Sequence, residues 1–175
     1  MDISPKILRE ARDAFAAMLT RKTKEAEWQS FFAAHPYVIT PSLPLRLEPR
    51  DLIPLGRPGK TEPDLIFYSL DQSVVPIYGV IELKRPDQRI ATFDRANVAR
   101  LSAPAMTAVL QTKQYIQTVP DFLDRQLSGR HLFLGNNQYL FVIMGLSDEL
   151  IFQPGNEMFW QMIRNELPAN LQILP

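Results

Sequence analysis

Residues 139–146, Tyr-Leu-Phe-Val-Ile-Met-Gly-Leu, form a continuous apolar run bounded by turn-forming residues at Gly135-Asn136-Asn137 and at Gly145. The run is far too short to span a bilayer and reads as a strand buried on both faces. Such a strand needs a sheet around it and further layers over that sheet. Two more apolar segments fit: Asp64 to Ser69, and a longer run from Pro76 to Arg85 that turns charged at its end. Asp71-Gln72-Ser73 supplies hairpin chemistry between them.

Helical spacing marks the rest. Ser4-Pro5 is a helix start, and Ile7, Leu8, Ala11, Ala14, Phe15, Met18 and Leu19 place an amphipathic helix over 5–19. A second helix is predicted over 24–34, ended by His35-Pro36 because the residue before proline resists the α region. Residues 37–62 are proline-rich, with strand-like pieces at Leu45–Leu47 and Leu52–Leu55, and 86–101 read as an irregular basic loop. Further helices are predicted over 103–118, 120–127 and 156–166. At 175 residues the chain has the size of one domain. The order of elements predicts a three-layer α/β domain with a mixed central sheet.

Several chemistries are excluded by what the chain lacks. It has no Cys, so a disulfide framework, a thiol nucleophile and Cys-ligated metal sites are ruled out. Its two histidines, His35 and His131, are too few for a His-rich zinc site. No G-x-S-x-G, P-loop or G-x-G-x-x-G occurs. The N-terminus has no apolar signal segment, so a soluble cytoplasmic protein is the expectation, with no membrane partner. Formal net charge is zero but unevenly spread: residues 61–83 carry four acids and no Lys or Arg, while residues 84–120 carry six bases against two acids. An acidic segment followed at once by a basic one is compatible with a metal site beside a phosphate path, and equally with a solvated surface.

The chemistry-bearing residues sit on the two strands. Pro63-Asp64 opens the first, and Glu82-Leu83-Lys84 lies at the end of the second, eighteen residues on from Asp64. Strand side chains alternate, so Glu82 and Lys84 share a face while Leu83 points into the core. If the strands pair, Asp64 comes alongside Glu82. Mg2+ prefers carboxylate oxygens and takes one or two of them besides water and substrate phosphate. A metal so held clamps a phosphate and generates hydroxide near neutral pH, and an ammonium offsets the charge that grows on the phosphoryl group. Taken alone, Glu-x-Lys is also an ordinary salt bridge.

Pro63-Asp64 followed by Glu82-Leu83-Lys84 resembles the signature of the PD-(D/E)XK nuclease superfamily. More narrowly, Glu27-Trp28-Gln29-Ser30-Phe31-Phe32 with His35-Pro36, then Glu62-Pro63-Asp64-Leu65-Ile66, then Val80-Ile81-Glu82-Leu83-Lys84-Arg85-Pro86 resembles the nuclease domain of the Shedu anti-phage proteins. The likeness covers about 23–146, leaving a helix over 1–22 and a C-terminal helix and tail over 147–175. Gln111 and Tyr115 resemble the Q-x-x-x-Y element that follows the catalytic strand in a subset of these nucleases, and they share one helical face.

The resemblance implies a restriction-endonuclease-like α/β/α fold and a nuclease that hydrolyses DNA phosphodiesters with Mg2+ or Mn2+, in anti-phage defence. It implies Asp64 and Glu82 as metal ligands, Lys84 as the catalytic lysine and Glu27 as an additional acid, with Glu25 two positions away. Gln111, Tyr115 and the basic residues Arg85, Arg89, Arg95 and Arg100 are the expected substrate contacts. A neutral chain this small grips duplex weakly, so a homo-oligomer or a partner protein is expected to share the binding. The competing expectation is a non-catalytic nucleic-acid-binding or regulatory module that keeps the fold.

Overall fold

The computed structural model describes residues 4–21, 23–55, 62–70, 76–96, 98–126, 137–145 and 149–175. The expected turn at Asp71-Gln72-Ser73 and His131 lie outside these residues. The chain opens with two helices, α1 (Pro5–Thr20) and α2 (Glu25–Ala34). Ser4 caps α1 by accepting from the Ile7 amide at 3.4 Å, and Pro5 stands in the first turn, where its missing N–H costs nothing. Short 3-10 turns at Pro36–Val38, Thr40–Ser42 and Pro49–Asp51 carry the proline-rich stretch. The strand-like piece expected at Leu45–Leu47 is not a strand, and among the described residues of this stretch only β1 (Leu52–Pro54) forms.

A five-stranded mixed sheet lies at the centre, in the order β1-β2-β3-β6-β7. It comprises β1, β2 (Leu65–Ser69), β3 (Ile77–Leu83), β6 (Gln138–Ile143) and β7 (Leu171–Leu174). β1, β2 and β3 pair antiparallel, whereas β3–β6 and β6–β7 are parallel. Every residue of β3 is buried, and its sequence is apolar or small except for Glu82 near its end.

Helices cover both faces of the sheet. Leu65, Phe67, Ile81, Leu83 and Phe141 pack against Trp28, Phe31 and Phe32 of α2 and against Ala11 and Met18 of α1. On the other face Ile66, Tyr78, Val80, Leu140 and Val142 meet α3 (Ala103–Tyr115), α4 (Val119–Gln126) and α5 (Glu157–Glu166). The two sets alternate along β3, as strand geometry requires. No helix among the described residues is long and apolar enough to cross a membrane.

Two elements depart from expectation. The segment expected as an irregular loop over 86–101 contains a hairpin, β4 (Ala91–Phe93) with β5 (Ala99–Leu101). Its turn is made by Asp94, whose Oδ1 accepts from the amides of Ala96 at 2.9 Å and Val98 at 3.0 Å. The C-terminal tail is in part β7, which sends Leu171 and Ile173 into the core beside β6.

Candidate active site

The Leu65↔Ile81 register between β2 and β3, extended by one residue, sets Asp64 opposite Glu82. Both are buried, Asp64 to 6% exposure and Glu82 to 3%. Asp64 Oδ2 accepts from the Leu83 amide at 2.7 Å, which fixes the carboxyl against the end of β3. Its Oδ1 accepts from Gln29 Nε2 at 2.6 Å. Lys84 Nζ donates to Glu82 Oε1 at 2.7 Å and to Glu25 Oε1 at 3.3 Å. Asp64, Glu82 and Lys84 are thus brought together where β3 ends.

Glu25 and Gln29 reach this cluster from α2, and the sequence reading assigned neither. They are four apart and share a helix face with Trp28 and Phe32, the residues that hold α2 on the sheet. That spacing was the available signal. Glu27 is two positions round the helix from Glu25 and is not brought to the cluster. Its side chain stays 48% exposed, pairs with Arg21 at 3.2 Å and accepts from the Lys24 amide at 3.4 Å, so it serves the start of α2.

From the opposite face, Tyr115 on α3 is buried near the cluster. Burial first, and then the charge of Glu82, hold its phenol above the usual tyrosine range. Gln111, one turn earlier, turns a buried Oε1 that has no hydrogen-bond partner among the described residues. The arginines behave differently. Arg85 is paired with Asp87, through Nε to Oδ1 at 2.8 Å and through a second contact to Oδ2. Arg100 pairs with Asp94 at 3.4 Å, while the Arg89 and Arg95 side chains are exposed. The Arg89 carbonyl accepts from Ser102 Oγ at 2.5 Å, and both Glu149 carboxylate oxygens accept from the Ile90 amide at 3.0 Å, so the segment after Lys84 is anchored at its far end. His35 closes α2: its amide donates to the Phe31 carbonyl at 2.9 Å, and its ring meets Tyr37 Oη at 2.7 Å.

The electrostatics follow from three acids around one ammonium in a partly dry setting. Burial, and then the neighbouring Glu82, raise the Asp64 carboxyl to about 7. Burial also raises Glu82, against the pull of Lys84. For Lys84, burial alone would lower the ammonium, but Glu82 and Glu25 together more than offset it and hold it above the usual lysine range.

Among the described residues no three His, Cys, Asp or Glu side chains form a ready-made metal cage. Mg2+ needs fewer, because one or two carboxylates suffice when waters complete the shell. Glu82 Oε2 is buried and has no hydrogen-bond partner among the described residues. A buried carboxylate oxygen without a donor is costly unless a cation or an ordered water meets it. Asp64, Glu82 and Glu25 carry three negative charges when ionised and Lys84 returns one, so a divalent cation would bring the cluster to neutrality. The donor set therefore fits Mg2+ or Mn2+.

No family model matches the chain, and no curated protein matches it.

Proposed function

We propose that this chain is a metal-dependent phosphodiesterase of restriction-endonuclease-like fold, acting on DNA in the manner of the PD-(D/E)XK nucleases it resembles. The observation that carries the reading is the convergence of Asp64, Glu82 and Lys84 at the end of β3, with one Glu82 oxygen buried and unpaired. Two carboxylates from adjacent strands, with an ammonium held against one of them, can position a divalent cation and offset phosphoryl charge in phosphodiester hydrolysis.

Asp64 and Glu82 would hold Mg2+ or Mn2+, and the bound ion would supply a Lewis acid and a water of lowered pKa. Lys84 keeps its proton across the neutral range, so its role is to orient the attacking water and to stabilise negative charge on the phosphoryl oxygens. Glu25 holds the ammonium in place from α2, and Gln29 holds Asp64. Tyr115, buried near the cluster on α3, and Gln111 one turn earlier would meet the substrate from that side. Arg85, with its charge shared by Asp87, contributes less to the grip than an open basic loop would.

The reading is tested by incubating plasmid, linear duplex and single-stranded DNA with the protein in Mn2+ and in EDTA. Cutting in Mn2+ that stops in EDTA is expected. Metal-independent binding with no cutting would favour a non-catalytic module instead.

The raised Asp64 carboxyl gives a pH prediction with a definite sign. Between the ordinary aspartate value of 3.8 and about 7, the folded protein keeps a proton that the unfolded chain has released. The metal-free protein therefore loses stability as pH rises through that window and changes little above it. Metal binding displaces that proton and any held by the raised Glu82 carboxyl, so apparent Mn2+ affinity should rise by about tenfold or more per pH unit below 7 and flatten once both carboxyls are ionised. Calorimetric titration with Mn2+ at a series of pH values checks this; an affinity flat from pH 5 to 8 would contradict it.

A further inference from the structure

Beside the acid cluster lies an apolar cleft of about 230 Å3 that the mechanism above does not use. Phe15 and Leu19 of α1, Trp28 and Phe32 of α2, and Ile143 at the end of β6 line it, and Lys84 forms part of its wall. The rings around it are ordered by mutual packing: Trp28 stands edge-on to Phe15 at 5.4 Å and nearly parallel to Phe32 at 6.0 Å. The cleft is smaller than pockets that enclose drug-sized ligands, which run from about 300 to 1,000 Å3, so it suits a single ring system. Its one charged wall residue also belongs to the candidate phosphate site. A flat apolar ring tethered to an anion matches this combination of aromatic lining and adjoining cation site, and a nucleotide is such a molecule.

We propose that this cleft receives one nucleobase next to the phosphate being cut, and that the substrate is single-stranded or locally unpaired nucleic acid. A base stacked and paired inside a duplex cannot reach a side pocket without being turned out of the helix. Walls that are mostly aromatic and apolar tolerate any base, because each has a π-face. The strand would then be held at two points, the phosphate at the end of β3 and the base in the cleft. The inference rests on the phosphodiesterase reading of the adjoining cluster.

The test measures affinity and cutting separately. Binding of the wild-type chain, with Ca2+ in place of Mg2+ to hold the strand uncut, is followed by fluorescence anisotropy. The probes are a short labelled single strand, the same strand made wholly of abasic residues, and a blunt duplex of the same sequence. The base-bearing single strand should bind about tenfold more tightly than the abasic strand, and more tightly than the duplex. Leu19→Trp, at a position 42% exposed on the rim, should bring the base-bearing strand close to the abasic affinity. Equal binding of base-bearing and abasic strands would overturn the cleft assignment, as would a Leu19→Trp protein of unchanged Tm that keeps the full difference. Should Leu19→Trp not fold, the wild-type comparison alone decides. Base-dependent binding with no cutting in Mn2+ would sink the hydrolase reading and leave the cleft; cutting with no base dependence would do the reverse.

Discussion

Lys84→Met is expected to lower DNA cleavage by at least about a hundredfold in saturating Mn2+, the scale seen when a positioned acid–base group or charge stabiliser is removed. Loss of activity alone would not distinguish chemistry from folding, but the geometry supplies a second signature. Lys84 is the partner of Glu82 Oε1 at 2.7 Å, and their side chains are only 11% and 5% exposed. Removing one member of a buried pair leaves the other charge uncompensated, at a cost of about 3 kcal/mol, less whatever Glu82 recovers by taking up a proton. The metal-free variant should therefore melt below the wild type. With Lys84 gone, Asp64, Glu82 and Glu25 have no cation between them, so added Mn2+ should raise the variant's Tm more than it raises the wild type's. A protein that binds Mn2+ more avidly and cuts far more slowly is what a charge-stabilising lysine beside a metal site predicts. Cutting at the wild-type rate would remove Lys84 from the mechanism.

The residues that make this prediction possible were readable because strand alternation is a short-range rule. Glu82 and Lys84 flank a core residue, Leu83, and the apolar run before them could be placed only in a buried strand. Asp64 needed one further assumption, that the two strands pair, and the antiparallel β2–β3 register meets it. The helical contribution was harder. Choosing between Glu25 and Glu27 requires the rotational phase of α2, which Trp28 and Phe32 set; Glu25 and Gln29 lie on their side and Glu27 does not. The β4–β5 hairpin gave no periodic signal because its strands are three residues each, and Asp94 and Ser102 hold it through side-chain contacts to backbone. β7 was hidden for another reason: Leu171 and Ile173 find their partner in β6, across α5 and its flanking turns, and local pattern carries no trace of that pairing.

Gly79→Ala should be among the most damaging single methyl additions in the chain. Gly79 lies mid-way along β3, opposite Phe67 of β2 and Tyr139 of β6. A Cβ built there falls onto the Tyr139 carbonyl oxygen and comes within 2.6 Å of Phe67 Cζ. Phe67 is fully buried and packed against Phe141 at 5.8 Å, so its ring has little room to withdraw. Tyr139 O is backbone in the adjoining strand and moves only if β3 and β6 separate. Overpacking of a tight core ordinarily costs about 1–3 kcal/mol, and a clash with backbone belongs at or above the top of that range. For a chain of this size that is a fall in Tm of about 10 °C. The same β3–β6 ladder pairs Glu82 with Val142, three residues further on, so a strand pushed outward at Gly79 carries the acid cluster with it. Activity and Mn2+ binding should fall together with stability here, in contrast to Lys84→Met, where stability and cutting fall while Mn2+ binding strengthens. Thermal denaturation with and without Mn2+ separates the two, and a Gly79→Ala protein that melts with the wild type would show that β3 does not run against β6 in the register described.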